Sequence, residues 1–189
     1  SASGNYGRSF AKYYKANLRV GVNWSKSNNI RVYPDADTDP NNNPSEVQTI
    51  ESYSQSYGLS FSTNYKTLPN LTLGYNYSIN DNFSDIIYVD SPTVSLEYFF
   101  LEAFSFVSEY SYYHNQNKSK TIDSEYDFLT ASLMYQKKDS KWEWKLSGTN
   151  LLDTKSLDTN SFSQLGGTST FSSYRVQPRF VILSLKYTL

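Results

Sequence analysis

The sequence predicts an all-β fold, an antiparallel meander of eight or nine long strands, and three observations carry that reading. Apolar and polar residues alternate with period two through most of the chain. The connections between alternating segments are short and long by turns. The composition is rich in Tyr, Ser and Asn but poor in the aliphatic residues of an ordinary core. Period-two alternation places successive side chains on opposite faces of a strand, so the two faces meet different surroundings.

The strands follow in order. In 14–33, Leu18, Val20, Val22 and Trp24 oppose Asn17, Arg19, Gly21 and Asn23. In 51–66, Tyr53, Tyr57, Leu59 and Phe61 oppose a run of Ser and Gly, and in 70–80 Leu71, Leu73, Tyr75, Tyr77 and Ile79 oppose Thr72, Gly74, Asn76 and Ser78. Strands over 91–101, 104–115, 126–137 and 141–152 repeat the pattern, ending with Trp142, Trp144 and Leu146 against Glu143, Lys145 and Ser147. The last, 174–189, sets Val181, Leu183, Leu185, Tyr187 and Leu189 against Ser184 and Lys186. A ninth strand at 4–10 follows if 11–15, "AKYYK", is a turn. Short links at 67–70, 101–104 and 137–141 alternate with long ones at 34–50, 81–90, 116–125 and 153–173, which predicts hairpins with tight turns at one end and long loops at the other.

Composition then selects the solvent. The chain has 189 residues, no Cys and a formal net charge of −1, which excludes disulfides and thiolate chemistry and gives no electrostatic pull towards nucleic acid. Its 18 Tyr, 11 Phe and 3 Trp lie largely on the apolar faces, and so many phenols in one core would need many buried partners. The opposite face is Ser, Gly, Asn and Thr with few charges, poor material for a solvated surface. Strands of nine or more residues match the roughly 9–11 that a tilted strand needs to cross a bilayer. The combination predicts the wall of a transmembrane β-barrel, with lipid on the apolar side. A soluble β-sandwich binding module is the less favoured alternative.

On that reading Trp142, Trp144 and Tyr187 form an aromatic girdle at the turn end, Tyr53, Tyr112 and Trp24 an upper belt, and Leu183 and Leu185 face lipid. Arg19, Arg31, Glu97, Glu109, Glu143, Lys145 and Lys186 face the lumen, with Glu143 and Lys186 placed to pair.

The ending, "GTNLLDT" at 148–154 followed by a polar loop and "YRVQPRFVILSLKYTL", resembles the close of TonB-dependent outer-membrane receptor barrels. Asn150, Leu151, Leu152 and Asp153 match that family's N-L-F-D, with Leu for Phe, and Pro178 and Arg179 match its P-R. The match covers roughly 124–189. The resemblance implies a Gram-negative outer-membrane location, long loops outside and the C-terminus in the periplasm. It implies the C-terminal wall of an importer of about 22 strands, with the rest of the barrel, a plug and, through the plug, TonB as partners. It also implies a terminal signal for the barrel-assembly machinery at Tyr187 and Leu189, where the family usually ends on an aromatic residue. Bacterial barrels have even strand counts, so nine strands favour part of a larger barrel, whereas eight would permit a complete small one with a structural or adhesive role.

Chemical sites are sparse. Asp35, Asp37, Asp39, Asn41, Asn43 and Glu46 fall at positions 1, 3, 5, 7, 9 and 12 of an EF-hand-like register, a weak calcium candidate because Pro40 stands where that loop needs Gly. No other cofactor is expected. His114 is the sole His, and no G-x-S-x-G elbow is present, so the sequence does not predict an enzyme.

Overall fold

The computed structural model describes residues 1–32, 45–81, 85–163 and 168–188; within these, the side chains of 29, 31–32, 45–46, 48, 157–163 and 168–171 are not described. The elements are β1 (Ala2–Phe10), β2 (Tyr14–Val32), β3 (Ser45–Thr63), β4 (Asn70–Asp81), β5 (Ile86–Phe100), β6 (Phe104–Asn117), β7 (Asp123–Tyr135), β8 (Trp142–Thr149), β9 (Ser156–Ser163), β10 (Thr168–Arg175) and β11 (Phe180–Tyr187). Among the described residues there is no helix. β1 to β8 and then β11 form one nine-stranded antiparallel sheet in which each strand pairs with the next, while β9 and β10 make a separate hairpin.

Strand count and bounds refine the expectation. The segment 4–10 is a strand, so the count is nine, and among the described residues β1 pairs with β2 only and β11 with β8 only. The sheet is open, which counts against a complete eight-stranded barrel. The expected loop 81–90 is shorter, because Ile86, Ile87, Tyr88 and Val89 continue the ladder opposite β4. The expected loop 34–50 likewise gives up Ser45 to Ile50 to β3. The loop 153–173 holds the β9–β10 hairpin, and Tyr174 and Arg175 belong to β10 rather than to the last strand, which begins only after Pro178. Proline donates no hydrogen bond to a ladder, which explains why the strand starts beyond it.

The turn end uses one hairpin device twice. Ala11 and Lys12 (φ 46° and 60°) and Leu101 and Glu102 (φ 51° and 56°) are consecutive left-handed pairs, the backbone of turns whose twist matches that of the strands they join. Each is clamped by an aromatic pair, Phe10 on Tyr14 at 5.8 Å and Phe100 on Phe104 at 5.3 Å.

A packed apolar core is absent among the described residues. Among the described residues the only buried hydrophobic side chain is Ile50. The accessible surface is 13569 Å² for 21.7 kDa, against about 9,200 Å² for a compact monomer of that mass. Among the described residues the only other sheet is the two-stranded β9–β10 hairpin, too small to cover the apolar face as a sandwich would require.

Candidate functional site

The candidate functional site is the sheet itself, a wall with two chemically different faces. Register sorts the residues without ambiguity. On the first face, rows run strand to strand: Tyr6, Leu18, Leu59, Tyr75 in one, and Phe106, Leu133, Leu146, Leu183 in another. The apolar groups on this face stand in the open: Leu59 is 56% and Leu183 65% exposed.

At the turn end this face closes in aromatics. Phe10, Tyr14 and Phe61 cluster with centroids 5.8–6.4 Å apart, Phe104 meets Tyr135 at 4.8 Å, and Trp142 meets Tyr187 at 4.6 Å. Trp24 lies opposite Tyr53 near the other end, and Trp144 opposite Leu185. Eight residues separate Phe104 from Tyr112 on β6, about 27 Å of strand and about 20 Å of height at barrel tilt.

At the loop end the same face turns polar. Tyr75 donates to Asp90 at 2.6 Å, Tyr112 to Glu125 at 2.8 Å and Tyr57 to Gln55 at 2.5 Å. His114 Nε2 lies 2.8 Å from Asp123 Oδ1, and Lys26 Nζ 2.8 Å from Glu51 Oε1. The band of bare hydrocarbon therefore has a boundary on each side, aromatic below and aromatic-polar above.

The second face carries Arg19, Glu97, Glu109, Glu143, Lys145 and Lys186 by register, and Arg31 sits opposite Glu46 at the far end of β2. Lys186 Nζ approaches Glu143 Oε2 to 3.5 Å. Over β1–β4 this face is nearly bare. A Cβ on Gly21 would sit 2.6 Å from Ser56 Oγ and one on Gly74 2.4 Å from Thr93 Oγ1, so glycine leaves room for the hydroxyl across the ladder. Over β6 and β7 it is not bare: Tyr113 stacks on Tyr126 at 4.7 Å and Phe128 meets Tyr126 edge-on. Sequence reasoning missed this trio, although extending the alternation from Glu109 through Ser111 reaches Tyr113.

The two halves of the ending motif meet in space. Asn150 is 1% exposed, donates to Thr154 O at 2.8 Å and Gln177 O at 2.9 Å, and accepts from Thr154 N at 2.9 Å. It thereby ties the exit of β8 to the residue before Pro178. Its φ of 51° is left-handed, which Asn tolerates better than most residues. Gly148 leaves room for the Leu151 side chain, whose Cδ2 would lie 2.6 Å from a Cβ there and would have to move aside for a larger residue.

Loops add one further cluster. The Asn117 Nδ2, with two hydrogens to give, lies 2.7 Å from Asp85 Oδ2, 2.8 Å from Ser119 Oγ and 2.7 Å from Thr121 Oγ1, and Ser119 donates to Asp85 at 2.6 Å. The Ser119 hydroxyl holds the Asp85 carboxyl below its usual range, with the Ile86 N–H and Asn117 acting in the same sense and burial opposing them. Asp35, Asp37, Asp39 and Leu189 lie outside the described residues, as does the side chain of Glu46. Among the described residues no group of three or more His, Asp or Glu could hold a metal ion.

An open antiparallel meander with one apolar and one polar face is the architecture of a β-barrel wall. Among solved structures the chain is similar to OmpT, an outer membrane protein of Vibrio cholerae, with a TM-score of 0.55 and 12% identity over 97% of this chain and 54% of that one. That likeness is one of fold, and the chain spans about half the length of the structure it matches. No family model and no curated protein matches the chain.

Proposed function

We propose that this chain is a stretch of transmembrane wall in a Gram-negative outer-membrane transport barrel, with lipid against its first face and the barrel interior against its second. The carrying observation is the inversion of burial: large apolar side chains stand exposed on the first face of every strand of the sheet except β6, where they are half-buried, while Ile50 is the one buried hydrophobic side chain among the described residues. In water an apolar surface of that extent is an association site or an aggregation liability. In a bilayer it is an ordinary outer surface, and it ends in aromatic residues where a bilayer would change from hydrocarbon to headgroup.

In its finer form the proposal is an energy-coupled importer of the TonB-dependent kind, to which this segment supplies wall and outer loops rather than catalysis. The support is the ending, whose N-L-x-D and P-R elements are joined through Asn150 and Gln177. Tyr187 would then serve in the signal read by the assembly machinery, and the loops near Asp85 and Ser119 would lie outside the cell.

Two neighbouring substitutions test the faces. Leu59→Arg puts a charge into the lipid band and is expected to cost about 2–4 kcal/mol of stability in the membrane. Ser60→Arg, on the other face, is expected to cost under about 1 kcal/mol. The readout is urea-induced unfolding in phospholipid vesicles. Equal costs for the two, or a larger cost at Ser60, would overturn the assignment of faces.

A further inference from the structure

Charge on the first face is sorted by height. Among the described residues this face carries six carboxylates, Glu51, Asp81, Asp90, Asp123, Glu125 and Asp127, and all lie towards the loop end. Asp127, the lowest on β7, is eight residues above Tyr135. Four of the six have partners within the protein: Lys26 for Glu51, Tyr75 for Asp90, His114 for Asp123 and Tyr112 for Glu125.

The turn end is the reverse. Arg8, opposite Ala16, lies on the first face one row above the Phe10–Tyr14 pair. The tight turns below it carry Lys12, Lys66, Lys137, Lys138 and Lys141 against Glu102 and Asp139. All six cations are exposed, and none makes an ion pair among the described residues. Two stand over aromatic rings: Lys12 Nζ is 5.8 Å from the Tyr13 centroid and Lys141 Nζ 5.8 Å from that of Tyr187. Tyr13 meets Tyr65 at 5.4 Å, which brings the turn holding Lys12 against the turn holding Lys66. A lysine at such a boundary lays its methylene stem along apolar surface and holds its ammonium at headgroup level. Cations gathered there repel one another, and an anion among them removes that cost.

We propose, resting on the membrane-wall reading, that the turn end is a binding surface for anionic phospholipid, with headgroup phosphates among Arg8 and the turn lysines and acyl chains against the aromatics beside them. Charge complementarity selects the sign of the occupant. Position selects a lipid over a soluble anion, because the cations border the hydrocarbon band directly and the phosphate of any lipid covering that band passes at their height. The carboxylates at the loop end would repel the same headgroups. The wall therefore prefers anionic phospholipid in one leaflet only, the periplasmic one in the orientation proposed above.

The 3 Trp of the chain divide between the two ends and serve as probes: Trp142 and Trp144 at the turn end, Trp24 towards the loop end. Brominated lipids quench only the tryptophans they touch. The protein is inserted into phosphatidylcholine vesicles containing a minor fraction of brominated phosphatidylglycerol or, in parallel, brominated phosphatidylcholine. A Trp24→Phe variant reads the turn end, and a Trp142→Phe/Trp144→Phe variant reads the loop end. At low salt the turn-end tryptophans should show phosphatidylglycerol enriched about threefold or more over phosphatidylcholine, and Trp24 should show no enrichment. The preference should fade at about 0.5 M salt. It should fall towards parity when Lys137, Lys138 and Lys141 are all changed to Gln, and return when they are changed to Arg instead. Parity at low salt, equal enrichment at Trp24, or enrichment that survives the Gln changes would overturn the proposal. So would displacement by inorganic phosphate at an ionic strength where chloride has no effect, which would assign the cations to a soluble anion. Failure of the membrane-wall reading would look different: neither brominated lipid would quench any of the tryptophans.

Discussion

Asn150 shows how much one side chain can organise. Its amide satisfies two backbone carbonyls and one N–H in a site from which water is excluded, while its own backbone takes a left-handed turn. Asn150→Ala would strand the Thr154 and Gln177 carbonyls and strain the turn, an expected loss of about 2–4 kcal/mol. Asn150→Gly would relieve the strain but not the stranded groups, and should lose about 1–2 kcal/mol less than the alanine variant. Unfolding midpoints of the two variants in detergent check this, and an alanine variant as stable as wild type would remove the Asn150 staple from the account. The sequence marked Asn150 only as part of a motif. Its partner, Gln177, lies 27 residues away, and nothing local to either residue reveals the bond.

At the scale of elements, period-two patterning located nearly every strand, because each lies between two unlike environments and the side-chain period records that contrast. Patterning was weakest where the contrast fades. Ile86, Ile87, Tyr88 and Val89 are apolar on both sides and read as the end of a loop, yet they pair with β4. The β9–β10 hairpin is hidden in the sequence because its Ser, Thr and Asn residues show little alternation. The loop clasp around Asp85 was equally invisible, since it joins residues more than 30 apart. Its chemistry gives it a pH dependence. The folded carboxyl lies below its ordinary value near 4, so the clasp is at full strength above that value. As pH falls through the folded value, protonation removes the acceptor shared by Asn117 and Ser119, and the clasp is lost. Hydrogen exchange at the Ile86 and Ile122 amides should accelerate, relative to strand amides, only on the acid side of about pH 4. Unchanged protection in acid, or loosening near neutrality, would show that the carboxylate does not hold the loop.

For the molecule as a whole, the faces were legible from residue order, and the odd strand count pointed to part of a larger barrel, in keeping with the open nine-stranded sheet, but alternation says nothing about what lies beyond the outermost strands. The second face is equally uneven in a way composition concealed. Its glycine and serine half over β1–β4 and its aromatic patch at Tyr113, Tyr126 and Phe128 present different surfaces to the interior. Everything functional depends on which medium covers the first face. The most direct measurement is a nitroxide scan along β3, one label at a time from Tyr53 to Phe61, in the protein embedded in native outer membranes. Collision with oxygen, which concentrates in hydrocarbon, should peak at Tyr57, Leu59 and Phe61 and fall at Ser56, Gly58 and Ser60. Labels at Tyr57, Leu59 and Phe61 that are immobilised and shielded from oxygen would mean that protein covers that side, and the wall would not be a membrane wall.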